Sequence, residues 1–477
     1  MRHQIVFYLN GKRQEVGPEH AGMMLGDFLR YEKSLTGTKI VCAEGDCGAC
    51  TVLRYFPQSQ GKDTQHFLPI NSCITLVANL DGSSLVTVEA LKNNDDFHVA
   101  QEAMIKCHGS QCGFCTPGFV MALAGLVEEK VAKKETAISI KEAKNCMTGN
   151  LCRCTGYAPI IDAALTMDLA KAESVKNRFL NNHQLQVLAE NAKTGVTLES
   201  ENFCYSAPVT LSEALDFLEA NPDARIAGAT TDLGVVHNKR KISLTKILSL
   251  HLIPELYHIQ VKDHVVTLGA RVTMSEFRHF MKDKCPELSH YLDVFASPQI
   301  KNTATVVGNV ANASPIGDTP PALLALNASV IINGQKEIKL SDFFLAYRKT
   351  ALATGEIITG IKFPLPVKSA DFKLYKNANR KDLDISAVNF GIQVEWKDES
   401  KKEIKEITIA AGGVSATPLR LKKTEAFLKS NLDLEAAVKI LHTEFTPLSD
   451  VRATGGYRHV LIENFFRQFF SECGGTP

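Results

Sequence analysis

The sequence predicts a multidomain α+β chain: a small β-rich domain, a helical domain, then a longer mixed α+β portion. Three observations carry this. The chain has 477 residues, enough for about three domains. It is 45 % hydrophobic and 22 % charged, the balance of a globular protein with several cores. Its hydrophobic pattern changes along its length, from short alternating runs, to helical periodicity, to a mixture of both. Lys and Arg number 53 against 52 Asp and Glu, a net charge of +1 that gives no basis for a nucleic-acid or anionic-membrane surface. No run approaches the roughly 20 apolar residues of a membrane span. The start, MRHQIVFYLNGKRQEV, has no apolar signal region, so a cytoplasmic location is expected.

Taken in order, Ile5 to Leu9 and Lys12 to Val16 flank Asn10-Gly11, a type I′ hairpin signal. Gly26 to Arg30 predicts a short helix. VCAEGDCGAC (41–50) is too rich in Gly and Cys for regular structure and predicts a loop. Thr51 to Phe56 and Ser84 to Val88 predict strands, which closes a domain over 1–88. Residues 89–166 predict helices: Pro117 and Pro159 stand where a helix starts, ahead of FVMALAGLVEE and IIDAALTMDLA. Residues 167–198 are polar and weakly patterned and read as a linker. Thr210-Leu-Ser-Glu213 and Thr273-Met-Ser-Glu276 are capping boxes. RIAGA, HVVTLGA, ASVIIN and ITGIKF predict strands around them, giving a mixed domain over 199–366. A last strand and helix mixture, 367–477, ends in the aromatic helix ENFFRQFF.

Cysteine is the anomaly. Ten of 13 cysteines fall within the first 154 residues. An odd count with no secretion signal argues against disulfides and for metal. Cys42, Cys47, Cys50 and Cys73 have the spacing C-x4-C-x2-C followed by 22 residues and a fourth Cys. That is plant-type [2Fe–2S] spacing, in which one loop carries three thiolates and a separate segment closes the site. Gly45 and Gly48 let such a loop wrap with N–H groups toward sulfur. A zinc site is the alternative, but zinc loops more often use paired C-x2-C units, and x4 followed by x2 is unusual for them. Cys112 and Cys115 form C-x2-C, and Cys152 and Cys154 form C-x-C 36 residues on. Spacing alone leaves zinc and iron–sulfur both open for this second set. Both pairs precede helix N-termini, where the dipole favours thiolate.

The residues around the second set carry a resemblance. Gln111-Cys-Gly-Phe-Cys-Thr-Pro-Gly118 and Gly149-Asn-Leu-Cys-Arg-Cys-Thr-Gly-Tyr157 closely resemble the second [2Fe–2S] domain of the molybdenum hydroxylases, the xanthine dehydrogenase and aldehyde oxidase family. The resemblance implies a plant-type ferredoxin β-grasp followed by a helical [2Fe–2S] domain, hence two clusters. The cluster on Cys112, Cys115, Cys152 and Cys154 would lie nearest a molybdopterin, with Gln111 contacting that cofactor. The cluster on Cys42, Cys47, Cys50 and Cys73 would lie between it and a flavin. Cys107, Cys146, Cys204, Cys285 and Cys473 match no ligand position and are expected to be free buried thiols.

No G-x-G-x-x-G follows a strand, and no P-loop is present, so a Rossmann nucleotide site is not expected. Two Gly-, Asn- and Thr-rich loops remain, Ile226–Gly234 and Thr303–Asp318. Backbone N–H groups at such turns can hold a pyrophosphate, although either loop alone is weak evidence. Together with Phe295-Ala296, Ser314-Pro-Ile-Gly-Asp318, Phe343-Phe-Leu-Ala-Tyr-Arg-Lys-Thr350 and Tyr375-Lys-Asn-Ala-Asn-Arg-Lys-Asp-Leu-Asp-Ile385 they resemble the vanillyl-alcohol-oxidase-type FAD domain of the same family, with its α+β C-terminal domain. By that resemblance Gly228, Ala229, Thr230, Thr231 and Asp232, with Ala304, Thr305, Val306, Val307, Gly308 and Asn309, hold the pyrophosphate region. Asp318 lies toward the adenine-side ribose, Lys376 near the isoalloxazine, and Phe295 over a flavin face. Relatives commonly have Gly-Gly-Asn at Val307-Gly308-Asn309, and a branched residue resists positive φ. Thr230-Thr231 stands where many relatives have a single threonine.

The order of domains resembles the small subunit of two-subunit xanthine dehydrogenases. It implies a larger partner subunit carrying molybdopterin and the substrate pocket, paired two small with two large. Electrons from hydroxylation of hypoxanthine or xanthine would pass through the clusters to FAD and then NAD+. No residue here is assigned a catalytic acid or base role. The same features suit an aldehyde or N-heterocycle hydroxylase, or an electron carrier without a molybdenum partner.

Overall fold

Asn10 and Gly11 both have positive φ, 51° and 77°, and so close the tight turn between β1 (Ile5–Leu9) and β2 (Lys12–Val16). The computed structural model describes residues 1–57, 65–94 and 96–474. They form two units, residues 1–257 with 296–304, and residues 258–295 with the chain from 305 onward. In the first unit β3 (Thr51–Tyr55), β4 (Leu68–Asn71) and β5 (Ser84–Val86) complete a mixed sheet of order β2-β1-β5-β3-β4. Its central pair β1 and β5 is parallel, which is the β-grasp arrangement the resemblance implies. The short helix expected at Gly26 to Arg30 is split into a turn, Leu25–Asp27, and a wider π-turn, Phe28–Glu32.

The helical portion follows: α1 (Val99–Lys106), α2 (Thr116–Lys133), α3 (Ile140–Cys146) and α4 (Ala158–Thr166). Prolines stand in the first turns of α2 and α4, where a missing N–H costs nothing. The central helix α2 buries Phe119, Met121, Leu123 and Val127 completely, in one core with Leu53 and Phe67 of the sheet domain.

Residues 167–198 are not a loose linker. They fold as α5 (Val175–Phe179) and α6 (Asn182–Asn191) and lead into strand β6 (Val196–Ser200). Val175, Phe179, Leu180 and Leu188 join the core of α2. Ser174 caps α5, and the carboxylate of buried Glu128 accepts the N–H groups of Val175 and Lys176. An acidic side chain 47 residues away thus anchors a helix too short to show periodicity.

Strands β6, β7 (Phe203–Ala207), β8 (Arg225–Ala227) and β9 (Lys246–Ser249) make a second sheet of order β6-β7-β9-β8. Helix α7 (Leu211–Ala220) joins β7 to β8, and α8 (Thr231–Asn238) joins β8 to β9. The predicted box at Thr210 is half made: Thr210 accepts from Glu213 N–H, but Glu213 accepts from Val209 instead. Val196, Leu198, Tyr205 and Ile247 share a core with Ile5, Phe7 and Leu85 of the β-grasp. Residues 199–366, expected as one domain, are therefore apportioned between the two units.

The second unit contains a sheet of order β10-β11-β16-β12-β13: β10 (Ile259–Lys262), β11 (Val265–Gly269), β12 (Ser329–Ile332), β13 (Lys336–Lys339) and β16 (Ile358–Pro364). Between β13 and β16 lies the hairpin β14 (Phe344–Ala346) and β15 (Lys349–Thr350). A complete capping box at Thr273 opens the helix Met274–Met281. An antiparallel sheet follows, β17 (Ala370–Asn377), β18 (Val388–Trp396), β19 (Ile404–Gly412) and β20 (Leu419–Arg420). The aromatic helix Gly455–Cys473 buries Phe466, Phe469 and Phe470 against it. Among the described residues no helix is long and apolar enough to cross a membrane.

One buried charge ties the first unit together. Asp81 is fully buried; Arg2 grips both its oxygens at 2.7 Å, Val6 N–H donates at 2.8 Å, and His251 lies at 3.5 Å. Burial by itself would raise its pKa, but Arg2 and His251 outweigh burial and hold it below the ordinary value. Asp81→Ala is expected to cost about 3–5 kcal/mol, because it removes the buried carboxylate that Arg2 and Val6 N–H both bind; the denaturant midpoint measures this. A depressed folded pKa means the stabilisation is complete above the ordinary aspartate value of about 3.9 and fades as pH falls below it. The gap in midpoint between wild type and Asp81→Ala is expected to narrow in acid.

Candidate functional site

The first cysteine quartet lies on the 41–50 loop and on the turn after β4. Three residues of the loop, Ala43, Gly45 and Gly48, have positive φ (55°, 76° and 67°), which coils it tightly around its thiols. Cys50 and Cys73 are buried, while Cys42 and Cys47 are half-buried. The thiols adjoin in pairs, Cys42 with Cys47 and Cys50 with Cys73, and Cys42 also reaches Cys73. They share protons accordingly: Cys42 is held low by its neighbours' thiols, while Cys47 and Cys73 are pushed up by Cys42. Cys47 N–H points at Cys42 Sγ (3.5 Å) and Asn71 Nδ2 at Cys50 Sγ (3.8 Å).

In the second quartet Cys115 immediately precedes the first residue of α2, and Cys152 and Cys154 precede α4. Cys112 and Cys154 lie 3.5 Å apart, and Cys115 adjoins Cys152. The backbone N–H of Phe114 and the Cys154 thiol lower the Cys112 pKa; burial pushes Cys115 up to about 12. Tyr157, itself at φ 71°, accepts a hydrogen bond from Cys152 N–H at 3.0 Å. Cys112 and Cys154 are exposed, as is Gln111 beside them. Among the described residues no three His, Cys, Asp or Glu side chains enclose a position for a single metal ion. In each quartet the thiols adjoin one another, as ligands of a two-iron group would.

The quartets touch through backbone. A Cβ on Gly48 would lie 2.1 Å from Gly149 O, and one on Gly118 would lie 2.3 Å from Gly48 O. Leu151 N–H donates to Cys47 O at 3.0 Å, joining the neighbour of Cys152 in one quartet to Cys47 of the other. Asn150 Nδ2 donates to Gly48 O at 3.1 Å, and Asn150 Oδ1 accepts from Gln299 Nε2 at 2.8 Å. Gln299 is fully buried; its partners are 149 and 248 residues away, so no local pattern marks it. Of the five remaining cysteines only Cys285 is buried; Cys107, Cys146, Cys204 and Cys473 are half-buried, contrary to expectation.

The expected flavin loops behave differently from each other. In the first unit the 228–232 segment leads into α8. Thr230 is buried with φ 61°, and its hydroxyl accepts from Asn79 Nδ2 at 3.1 Å. Asp232 is exposed, and Gly228, Ala229 and Thr231 are half-buried. Ala304, in the same unit, donates its N–H to Ile300 O at 2.7 Å.

In the second unit Thr305 caps a short helix, Val306–Ala311, by accepting from Gly308 N–H at 3.0 Å. Val307 lies inside that helix, is buried and has no positive φ, so the concern about a branched residue there falls away. Asn309 accepts from the Thr319 hydroxyl. Asp318 and Lys376 were expected at different parts of a flavin, yet they form one buried ion pair at 2.7 Å. Ser386 and Asn389 also donate to Asp318, and Lys376 donates to Val294 O, beside buried Phe295.

Residues 87–165 match the [2Fe-2S] binding domain family, 201–366 the FAD binding domain in molybdopterin dehydrogenase, and 373–473 the CO dehydrogenase flavoprotein C-terminal domain. Xanthine dehydrogenase 1 of Arabidopsis thaliana is 29% identical over 98% of this chain and 39% of its own length. The xanthine dehydrogenase of Oryza sativa is 30% identical, with the same coverage. The chain thus spans about two fifths of the length of the curated relatives it matches. Carbon monoxide dehydrogenase from Hydrogenophaga pseudoflava (TM-score 0.53, 22% identity, 57% of this chain, 96% of that one) shares the fold. So does quinoline 2-oxidoreductase from Pseudomonas putida 86 (0.51, 22%, 58% and 98%).

The glycine contacts predict a specific sensitivity. Gly118→Ala places its Cβ against a backbone oxygen that cannot rotate away. Iron bound per chain is expected to fall, by metal analysis and visible absorbance, more than with Gly456→Ala, where nothing lies within 4 Å.

Proposed function

Because the chain belongs to the iron–sulfur and flavin portion of the molybdenum hydroxylases, we propose that it is the small subunit of a xanthine dehydrogenase. On this reading it relays electrons from a molybdenum cofactor on a larger partner, through two [2Fe–2S] clusters and FAD, to NAD+ during hydroxylation of hypoxanthine and xanthine. The carrying observation is the direct contact of two cysteine quartets through Leu151 N–H and Cys47 O. It occurs in a chain that aligns with xanthine dehydrogenases over 98% of its length. When bound, the clusters and the flavin supply one-electron carriage and its conversion to two-electron transfer.

The chain's own residues hold and tune. Cys42, Cys47, Cys50 and Cys73 would hold one cluster; Cys112, Cys115, Cys152 and Cys154 would hold the other. The N–H groups aimed at sulfur favour thiolate and adjust potential. Exposure of Gln111, Cys112 and Cys154 supports a face at which the molybdenum-bearing partner docks, two small with two large subunits. In the first unit the 228–232 segment and Ala304 are proposed to contact FAD; in the second unit the 305–309 segment, Phe295, Asp318 and Lys376 are proposed to do so. The Asp318–Lys376 pair would act there as one neutral unit rather than as a free anion and a free cation.

Purification from the native host tests the reading. A co-purifying larger chain with near-stoichiometric molybdenum, and NAD+ reduction dependent on xanthine, are expected; iron and flavin without either would sink it. Cys112→Ser changes an exposed position and is expected to remove one of two [2Fe–2S] EPR signals. Xanthine-to-NAD+ turnover should be lost while NADH still reduces the flavin. Unchanged turnover in that variant would contradict the proposed order of carriers.

A further inference from the structure

Helix α8 makes contacts that none of the cysteine or flavin motifs accounts for. Asn238, its last residue, donates through Nδ2 to two carbonyls at once: Ala43 O at 2.8 Å and Cys73 O at 2.8 Å. Those carbonyls belong to the two separate segments that carry the first quartet. One is next to Cys42 on the loop; the other is Cys73 itself. Ser72 and Asn71 hold the Cys50 end of the loop, and the Asn238 amide ties its Cys42 end to Cys73, so that both segments present their thiols together.

The rest of the helix supports this clasp. Gly234 faces the backbone after Cys73 so closely that a Cβ would meet Ile74 O at 2.6 Å. Val235 packs on the cluster of Cys50, Cys73 and Ile74. Lys239, just beyond the helix, pairs with Glu44. At the other end of the helix, Thr230 in the 228–232 segment takes the Asn79 amide. Eight residues at helical rise make a strut about 12 Å long.

We infer that Asn238 is a positioning residue for the first iron–sulfur cluster, and that α8 is the strut that holds this cluster at a fixed separation from the flavin segment 228–232. The inference rests on the reading of the quartets and of that segment given above. Asn238 touches neither sulfur nor iron. It acts through the carbonyls of Ala43 and Cys73, by fixing the ligand loop and by polarising the peptide groups beside two ligands, the kind of outer contact that orients ligands and tunes a metal centre.

The test compares Asn238→Asp, nearly isosteric but without the N–H donors, with wild-type protein reduced for EPR. The first cluster's signal is identified as the one that survives Cys154→Ser. In Asn238→Asp that signal is expected to shift in g values and midpoint potential, and its cluster to be retained about tenfold less well against a chelator. The second signal should not move. If Asn238→Asp does not fold, Asn238→Ser, too short to reach both carbonyls, replaces it. A lower melting temperature with both signals unmoved would overturn the inference and leave Asn238 a packing residue. Wild-type protein with fewer than two [2Fe–2S] signals would instead overturn the reading of the quartets.

Discussion

Two cysteine-bearing loops can lie against each other only where neither carries a side chain in the way. Gly48, Gly118 and Gly149 meet that requirement: any Cβ at Gly48 or Gly118 would sit within van der Waals distance of a carbonyl oxygen. Once the backbones touch, Leu151 N–H can reach Cys47 O, Asn150 Nδ2 can reach Gly48 O, and Gln299 Nε2 can reach Asn150 Oδ1. The Asn150 and Gln299 hydrogen bonds are buried, where an unmade one costs about 1–3 kcal/mol. The glycine contact and the polar contacts therefore depend on each other. The β-grasp and the helical domain are joined at the point where the chemistry needs them close.

Charge is buried for the same purpose of placement. Arg2, Asp81 and His251 come from the N-terminus, the end of the β-grasp and the segment after β9, and meet in one site in the first unit. In the second unit Lys376 and Asp318 do the same for β17 and the turn before the helix Thr319–Ala325. A buried pair gains little over an apolar substitute, because desolvation offsets the Coulomb attraction. Breaking it is costly, however, so each pair permits only the packing in which its partners meet. Both pairs also recruit backbone groups or hydroxyls, which completes the hydrogen bonding the carboxylates need.

Helix α8 extends this logic to the 41–50 loop, Cys73 and the 228–232 segment of the first unit. It is short, and its sequence is unremarkable beside the cysteine motifs. Yet its residues meet Asn79, Ile74, Cys73, Ala43 and Glu44 in turn. A rigid helix transmits position better than a loop, since its own backbone hydrogen bonds are internal.

The sequence by itself determined the chemistry. Cysteine spacing, the Gln111 and Gly149 motifs and the Asn10-Gly11 turn are local, so a few adjacent residues carry each of them. The β-grasp strands, the helices after Pro117 and Pro159, and the capping box at Thr273 were legible for the same reason. Tertiary structure decided what depends on residues far apart in the chain. It folded 167–198, because Glu128 caps a helix whose own sequence shows no period. It put Val307 in a helix, where no positive φ is needed. It joined Asp318 to Lys376 across 58 residues, and Asn238 to Cys73 across 165. Hydrogen bonds and ion pairs of that span leave no periodic or adjacent signature in a sequence. They exist only once packing has brought their donors and acceptors within about 3 Å.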